Sequence, residues 1–337
     1  MTGPRRWAPP VFLGISAALL GAFLVLSWSI GAAPLDLRTA WSDPESIDRL
    51  ILVRERIPRS LLGAMVGAAL SVSGLVFQAV LANPLADPYV IGVAGGAALG
   101  GALVLAVPLA AALGQPAVSL GAFAGGLLAI ALNWTLSRGR RGTLRAYHFL
   151  LVGVVLNAVA SAAVMFLKTV VRAEKAQEML LWLMGTLATD VRSPSALLMV
   201  FALLALAGLW LYRLAPALNA LTLGAEGASV LGVDPVRTTR QVFLAGSLLV
   251  AAAVSVSGLI GFVGLIVPHA VRRVIGSDHR WTLPACACSG AAFLVLADWG
   301  VRALFPVFHT ESPVGVLTAL VGGPAFVWLL HRTEEAP

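Results

Sequence analysis

The sequence predicts an all-α polytopic membrane protein, on the basis of its composition, the spacing of its apolar segments and an internal repeat. Of its 337 residues, 59% are hydrophobic and only 12% are charged, and the mean hydropathy is +0.90. Counted with the 34 Gly and without the 3 Tyr, the apolar share is about 68%, against roughly 45–50% in soluble domains, so the excess apolar surface has to face lipid. The net charge of +7 lies in clusters between apolar segments. Positive loops of a membrane protein explain that pattern better than a nucleic-acid partner does.

Hydropathy divides the chain, taken as one transmembrane domain over 1–337, into about ten spans. The predicted spans lie near 11–33, 60–81, 91–113, 117–137, 146–168, 195–213, 241–260, 262–276, 283–303 and 313–331. Each approaches the roughly 20 residues that cross a bilayer. The eighth is short and contains Pro268, so we predict a broken helix sheltered by protein. Glycines at four-residue spacing, such as Gly63 and Gly67, predict close helix packing within the bundle, with a dimerisation face as the alternative.

The even number of spans and the charge distribution predict the topology. Arg5 and Arg6 precede an apolar segment that is longer than a signal-peptide core, which indicates an uncleaved first span with its N-terminus inside. Ten crossings then place both termini in the cytoplasm. The excess of basic residues on the cytoplasmic side is modest, because several arginines fall outside.

An internal repeat relates the two parts of the chain. A shift of 184 residues aligns 59–92 with 243–276, and 14 of the 34 aligned positions are identical. Chance gives roughly three or four identities in so biased a composition. By the span count the two copies run in opposite directions, with repeat halves at approximately 59–168 and 241–331. Inverted repeats are typical of transporters that bind substrate near the repeat interface.

Motifs for catalysis are missing from the sequence. It has no P-loop, nucleophile elbow or carboxylate pair, and its only lysines are Lys168 and Lys175. Its five histidines are scattered without metal-ligand spacing, and Cys286 and Cys288 are interpreted as packing residues. The sequence therefore predicts no catalytic residue, no metal site and no cofactor on this chain.

The connection 214–240 is predicted to form two short cytoplasmic helices, at approximately 219–238. Gly232 can end the first helix, and Asp234 can cap the second with Pro235 in its first turn. A compact, partly apolar helix pair in water suits a partner surface. The alternative is a loop folded back on its own membrane domain.

Several motifs resemble one transporter family in the same order along the chain. The first half contains Arg-Ile-Pro-Arg at 56–59, Ser-Gly with Gln78, and Asn-Pro-Leu-Ala-Asp-Pro at 83–88. The second half contains Gly-Phe-Val-Gly-Leu-Ile-Val-Pro-His at 261–269, Ala-Asp at 297–298 with Arg302, and Gly-Gly-Pro at 322–324. Over residues 11–331 this resembles the FecCD/BtuC-like permeases of ABC importers for ferric siderophores, haem or vitamin B12.

The resemblance implies a type II ABC importer permease in the bacterial inner membrane. Its partners would be a second copy of itself, two ATP-binding-cassette ATPase subunits, a periplasmic or lipid-anchored substrate-binding protein and membrane lipid. ATP and Mg²⁺ would be bound by the partner ATPase, so this chain would not be an enzyme.

The resemblance also assigns roles to residues of this sequence. It assigns docking of the binding protein to Arg56, Arg59 and Arg302. The alternative role for these arginines is to anchor the helix ends at the lipid headgroups. It assigns coupling to the ATPase to Gly224, Glu226, Ala228, Leu231 and Gly232. It assigns the cytoplasmic gate to Asn83, Leu85, Arg145 and Tyr147. The translocation pathway is lined by Gly153, Asn157, Ser161 and Met165 of the fifth span and by Gly315, Thr318 and Gly322 of the tenth. Interhelical hydrogen bonding is the alternative for Asn157 and Ser161.

An ion-coupled secondary transporter that works without an ATPase is the alternative function. It would need intramembrane carboxylates to bind coupling ions. Only Asp298 lies well inside a span, and Arg302 one turn later can pair with it.

Overall fold

The computed structural model describes residues 7–31, 35–107, 113–137, 146–187, 194–305, 309 and 312–334, and all regular structure in these ranges is helical. The helices are α1 Pro9–Ser29, α2 Leu37–Ser42, α3 Ile47–Ile51, α4 Ile57–Val80, α5 Val93–Ala106, α6 Gln115–Leu136, α7 Ala146–Val170, α8 Ala173–Leu183, α9 Pro194–Arg213, α10 Ala215–Leu221, α11 Gly224–Val230, α12 Pro235–Ser257, α13 Val263–Ile275, α14 His279–Ala303 and α15 Val314–Glu334. A π-helical turn, Leu52–Arg56, leads into α4, and a 3₁₀ turn, Pro88–Ile91, precedes α5.

Each predicted span coincides with one of these helices, which confirms the predicted fold class. The ten are α1, α4, α5, α6, α7, α9, α12, α13, α14 and α15. Within the described residues, six helical segments are long and apolar enough to cross a bilayer by themselves, and a seventh passes if α9 and α10, bent by 52°, count as one span. Helices α5 and α13, with 14 and 13 residues, are shorter than a full crossing.

Helices α4 and α12 form the centre of the bundle. In their most apolar stretches 78% and 72% of the residues are buried, against 11% in α1. Phe77 of α4 stacks on Phe243 of α12 with ring centroids 5.6 Å apart, and Phe149 of α7 lies 4.3 Å from the same ring. The two related helices of the repeat therefore share one aromatic core.

Glycine pairs let neighbouring helices approach closely, as the four-residue spacing predicts. A Cβ added to Gly67 of α4 would lie 2.2 Å from the carbonyl oxygen of Gly290 in α14, and one on Gly290 would lie 2.4 Å from that of Gly67. Gly96 of α5 and Gly125 of α6 meet in the same reciprocal way. These stripes pack helices within one chain, so the dimerisation alternative is not needed for them.

The two repeat copies differ in where their helices end. Gly74 lies inside α4, whereas its counterpart Gly258 ends α12 with φ +67°. A Cβ at Gly258 would lie 2.1 Å from the carbonyl oxygen of Trp182, so the turn is packed against the end of α8. The hydroxyl of Tyr89 donates to the carbonyl of Ile260 and accepts from its N–H, both at 2.9 Å. Both backbone groups of Ile260, in the irregular segment after α12, are therefore satisfied by protein, as a membrane environment requires.

The expectation that Pro268 breaks the eighth span is wrong, because α13 is continuous through it. Proline has no N–H for the carbonyl four residues earlier, which here belongs to Gly264. The side-chain amide of Gln78 in α4 donates to that oxygen at 3.2 Å, and its own carbonyl accepts from the guanidinium of Arg272. Gln78 therefore supplies the hydrogen bond that Pro268 cannot make.

The prediction of two short helices in 214–240 needs a correction. The connection contains two short helices, α10 and α11, and Gly232 follows α11 with φ +78°. The helix that Asp234 was predicted to cap is not short, because it is the beginning of the long α12. Asp234 caps α12 by accepting from Val236 N–H at 2.9 Å, as predicted. No residue after the cap interrupts helical hydrogen bonding before Gly258, so the helix continues into the bundle.

Candidate functional site

Two of the three predicted docking arginines, Arg59 and Arg302, bind one buried carboxylate. Asp298 of α14 accepts from Arg59 Nε at 3.0 Å and, one helical turn away, from Arg302 Nε at 3.0 Å. Arg302 also donates to the backbone carbonyl and the hydroxyl of Ser27 in α1. Arg56 donates to the carbonyl of Trp28 at 2.7 Å. The predicted pairing of Asp298 with Arg302 is confirmed, and the cluster joins α1, α4 and α14.

Burial restricts what this arginine cluster can offer a partner. Arg56 and Arg302 are only 5% and 4% exposed, and the side chain of Arg59 is 14% exposed. Docking through the three residues stays a prediction. Of the three, Arg59 is the most exposed.

Sequence reasoning missed the part of α1 in this cluster. Trp28 donates its indole N–H to Ser60 at 2.7 Å, and Ser60 in turn donates to the carbonyl of Ile57. The signal was present in the sequence, because Ser27, Trp28 and Ser29 form a polar triplet at the end of an otherwise apolar span. Three adjacent hydrogen-bonding side chains would lack partners at a lipid-facing helix end, so they indicate contact with protein.

The predicted pathway stripe on α7 does not form one face. A step of four residues advances 40° beyond a full turn of an α-helix, so three steps rotate the stripe by roughly 120°. Gly153 is buried against the carbonyl of Val90, whereas Ser161 is exposed and Met165 is 63% exposed. Asn157 accepts from Gly95 N–H and donates to the carbonyl of Tyr89, each at 2.9 Å. Asn157 therefore makes interhelical hydrogen bonds, as the alternative interpretation of this residue proposed. A pathway role for Ser161 and Met165 stays a prediction.

The stripe on α15 faces its own chain. A Cβ at Gly315 would lie 2.1 Å from the carbonyl oxygen of Met184, and one at Gly322 would lie 2.5 Å from the Cβ of Phe262. Thr318 is buried and donates back to the carbonyl of Gly315 at 3.0 Å. These small residues bring α15 against the end of α8 and the start of α13. Their place in a pathway stays a prediction.

Of the four predicted gate residues, the structure describes the side chains of Asn83 and Leu85. Asn83 accepts from Leu85 N–H at 2.9 Å in a tight turn, and the side chain of Leu85 is 45% exposed. Next to this turn, burial raises the pKa of Asp87 to about 6, although a hydrogen bond from Tyr89 N–H acts in the opposite direction. Arg145 and the side chain of Tyr147 lie outside the described residues.

The predicted coupling segment presents an apolar surface outside the bundle. Inside α11, Ala228 is fully buried. Around the two ends of the helix, Leu223, Val230 and Leu231 are 66%, 86% and 61% exposed. Glu226 lies four residues before Val230, so the two share a face opposite Ala228. Gly224 and Gly232 flank the helix at φ +86° and +78°. Exposed large apolar side chains on a short polar connection mark an interaction surface.

Comparisons with known proteins agree with this arrangement. The FecCD transport family matches residues 19–332. The chain is 40% identical to the hemin transport system permease protein of Yersinia pestis, over 98% of both chains. It is 41% identical to the cobalamin import system permease protein of Halobacterium salinarum, over 90% of this chain and 78% of the relative. The solved structure of an inward-facing metal-chelate type ABC transporter superposes with a TM-score of 0.83 at 31% identity, covering 96% of this chain and all of that one.

Proposed function

Because the chain belongs to the FecCD transport family of ABC importer permeases, we propose that it moves a metal chelate across the bacterial inner membrane. The observation that carries this proposal is identity of about two residues in five, over nearly the full length, with permeases for hemin and for cobalamin. The candidate cargoes are haem, cobalamin and ferric siderophores. As in its relatives, the chain acts as a permease subunit and is not itself an enzyme.

In this proposal the energy comes from partner chains. Two ATPase subunits with bound ATP and Mg²⁺ would contact the surface formed by Leu223, Val230 and Leu231, because that apolar surface is the exposed part of the coupling segment. A second copy of the permease would complete the pathway, and a substrate-binding protein would deliver the chelate outside. The second copy would contact α7 and α15, which carry exposed apolar side chains such as Phe166 and Leu320, each 68% exposed.

Purification from native membranes tests the importer against the secondary transporter. We expect the tagged chain to co-purify with an ATPase subunit, and proteoliposomes of this complex to take up haem or cobalamin only with the binding protein and internal ATP. Uptake driven by a proton or sodium gradient without ATP would instead establish the ion-coupled alternative. The pairing of Asp298 with two arginines argues against that carrier, because the carboxylate is already neutralised.

The proposed topology has both termini in the cytoplasm, and single cysteines test it. A cysteine at Gly227 should resist an impermeant thiol reagent added outside intact cells, whereas cysteines at Asp43 and Ala176 should react. The reason is that Gly227 lies in the segment assigned to the ATPase. Outside labelling of Gly227→Cys would remove that assignment while leaving the family membership intact.

A further inference from the structure

A wide apolar groove runs along the side of the bundle away from the helices assigned to the pathway. It has a volume of about 1580 Å³ and lies between α1, α4 and α9, with α12 and α14 at its floor. Neither α7 nor α15 contributes a lining residue. Pockets for drug-sized ligands measure roughly 300–1,000 Å³, so the groove suits a larger apolar molecule.

Small side chains form the groove where two long helices would otherwise touch. Ala64 and Ala68 of α4 face Ala205 and Gly208 of α9 across it. A Cβ added to Gly208 would meet no heavy atom within 4 Å. This position differs from Gly67, whose missing side chain makes room for a neighbouring helix. Gly208 leaves space that nothing in the described chain fills.

The groove is long enough for an acyl chain. Its α4 side extends from Pro58 to Val72, which is about 21 Å at 1.5 Å per residue. One leaflet is half of the roughly 30 Å hydrocarbon core. Its rim is apolar and open, with Phe201 and Leu198 of α9 at 53% and 65% exposure.

Charged residues lie where the groove reaches the helix end. Arg54 lines its mouth together with Glu55, and a smaller cavity of about 350 Å³ continues from Arg54 to Arg49 and Glu45. Among the described residues neither arginine has an ion pair, in contrast to the arginines around Asp298. The mouth therefore carries two arginines beside two carboxylates, and together with the apolar trough this complements a phospholipid with a zwitterionic head group.

We propose that this groove binds one phospholipid molecule, with its acyl chains between α4 and α9 and its phosphate against Arg54 and Arg49. Arginine suits phosphate because its planar guanidinium donates two parallel hydrogen bonds. Phosphate at the mouth and hydrocarbon along the trough satisfy both parts of the site at once.

Thiol labelling of the native chain tests occupancy directly. Cys288 lines the groove, whereas Cys286 two residues away is fully buried and serves as an internal control. In delipidated detergent-solubilised protein, we expect an apolar maleimide to modify Cys288 at least five times faster than after addition of palmitoyl-oleoyl phosphatidylethanolamine. Peptide mass spectrometry distinguishes the two cysteines.

Bound lipid counted by native mass spectrometry gives the second measurement. Gly208→Phe and the double variant Arg49→Ala/Arg54→Ala should each retain at least five times less phosphatidylethanolamine than the unmodified chain. Gly14→Phe is the matched control, because Gly14 also has open space around it but lies outside the groove. Equal retention in Gly208→Phe and Gly14→Phe would overturn the proposal. It would also be overturned if Gly208→Phe changed the number of permease copies, or if haem protected Cys288 and the phospholipid did not.

Discussion

Replacing Val230 and Leu231 together by aspartate is expected to abolish ATP-driven import while leaving the membrane domain folded. The two side chains are 86% and 61% exposed, so nothing in the described chain depends on their packing. At an interface, apolar anchors of this kind contribute about 2 kcal/mol or more, and each 1.4 kcal/mol is a factor of ten in affinity. Uptake by the reconstituted complex should therefore fall more than tenfold, together with co-purification of the ATPase subunit.

Thr222→Asp is the control for added charge, because it introduces one of the two negative charges at an exposed polar position of the same connection. It should keep at least half of the uptake. Glu226→Arg tests charge separately, since Glu226 shares the exposed face with Val230. Gly232→Trp is less informative, because φ +78° would strain any side chain there. Normal ATPase retention in the double aspartate variant would remove α11 from the coupling role.

Hydropathy predicted where the helices lie but not where all of them end. The position of each long helix follows from its apolar stretch, which is a local property of the sequence. The local sequence does not determine that α12 ends at Ser257, because the equivalent Ser73 in the repeat lies inside a continuous helix. The carbonyl of Trp182 and the hydroxyl of Tyr89 decide the difference, and both come from distant parts of the chain.

The continuity of α13 shows the same limit. Proline in a short span indicates a break, and this expectation is correct for an isolated helix. It fails here because Gln78, 186 positions away from Gly264, donates the missing hydrogen bond. Gln78 was recognised through the family motif, but its physical role appeared only when α4 and α13 were seen side by side.

The arginine cluster was predictable only in part. The pairing of Asp298 with Arg302 follows from their spacing of one helical turn. The pairing of Asp298 with Arg59 joins residues 239 positions apart, and no local pattern indicates it. The structure shows that Arg59 and Arg302 share one carboxylate inside the bundle.

Asp298→Asn is expected to destabilise the protein by about 3–5 kcal/mol, because it leaves buried arginines without a counter-charge. Asparagine keeps the shape of the side chain, so the loss isolates the charge. Arg59, 14% exposed, can turn toward water, whereas Arg302 is held between Asp298 and Ser27. The measurement is the thermal unfolding midpoint of the purified chain in detergent. Glu178→Gln is the control, because its partner Lys175 is 42% exposed and such surface pairs contribute about 0–1 kcal/mol.

A second substitution shows whether the unpaired charge is the cause. Asp298→Asn combined with Arg302→Gln removes both members of the buried pair, so the double variant should be more stable than Asp298→Asn alone. This order requires that the burial of an uncompensated cation costs more than the loss of the remaining hydrogen bonds. If Asp298→Asn unfolds like the unmodified chain and only weakens association with the binding protein, the cluster serves docking and not the joining of α1, α4 and α14. If the double variant is less stable than the single one, hydrogen bonding from Arg302 to α1 outweighs its charge.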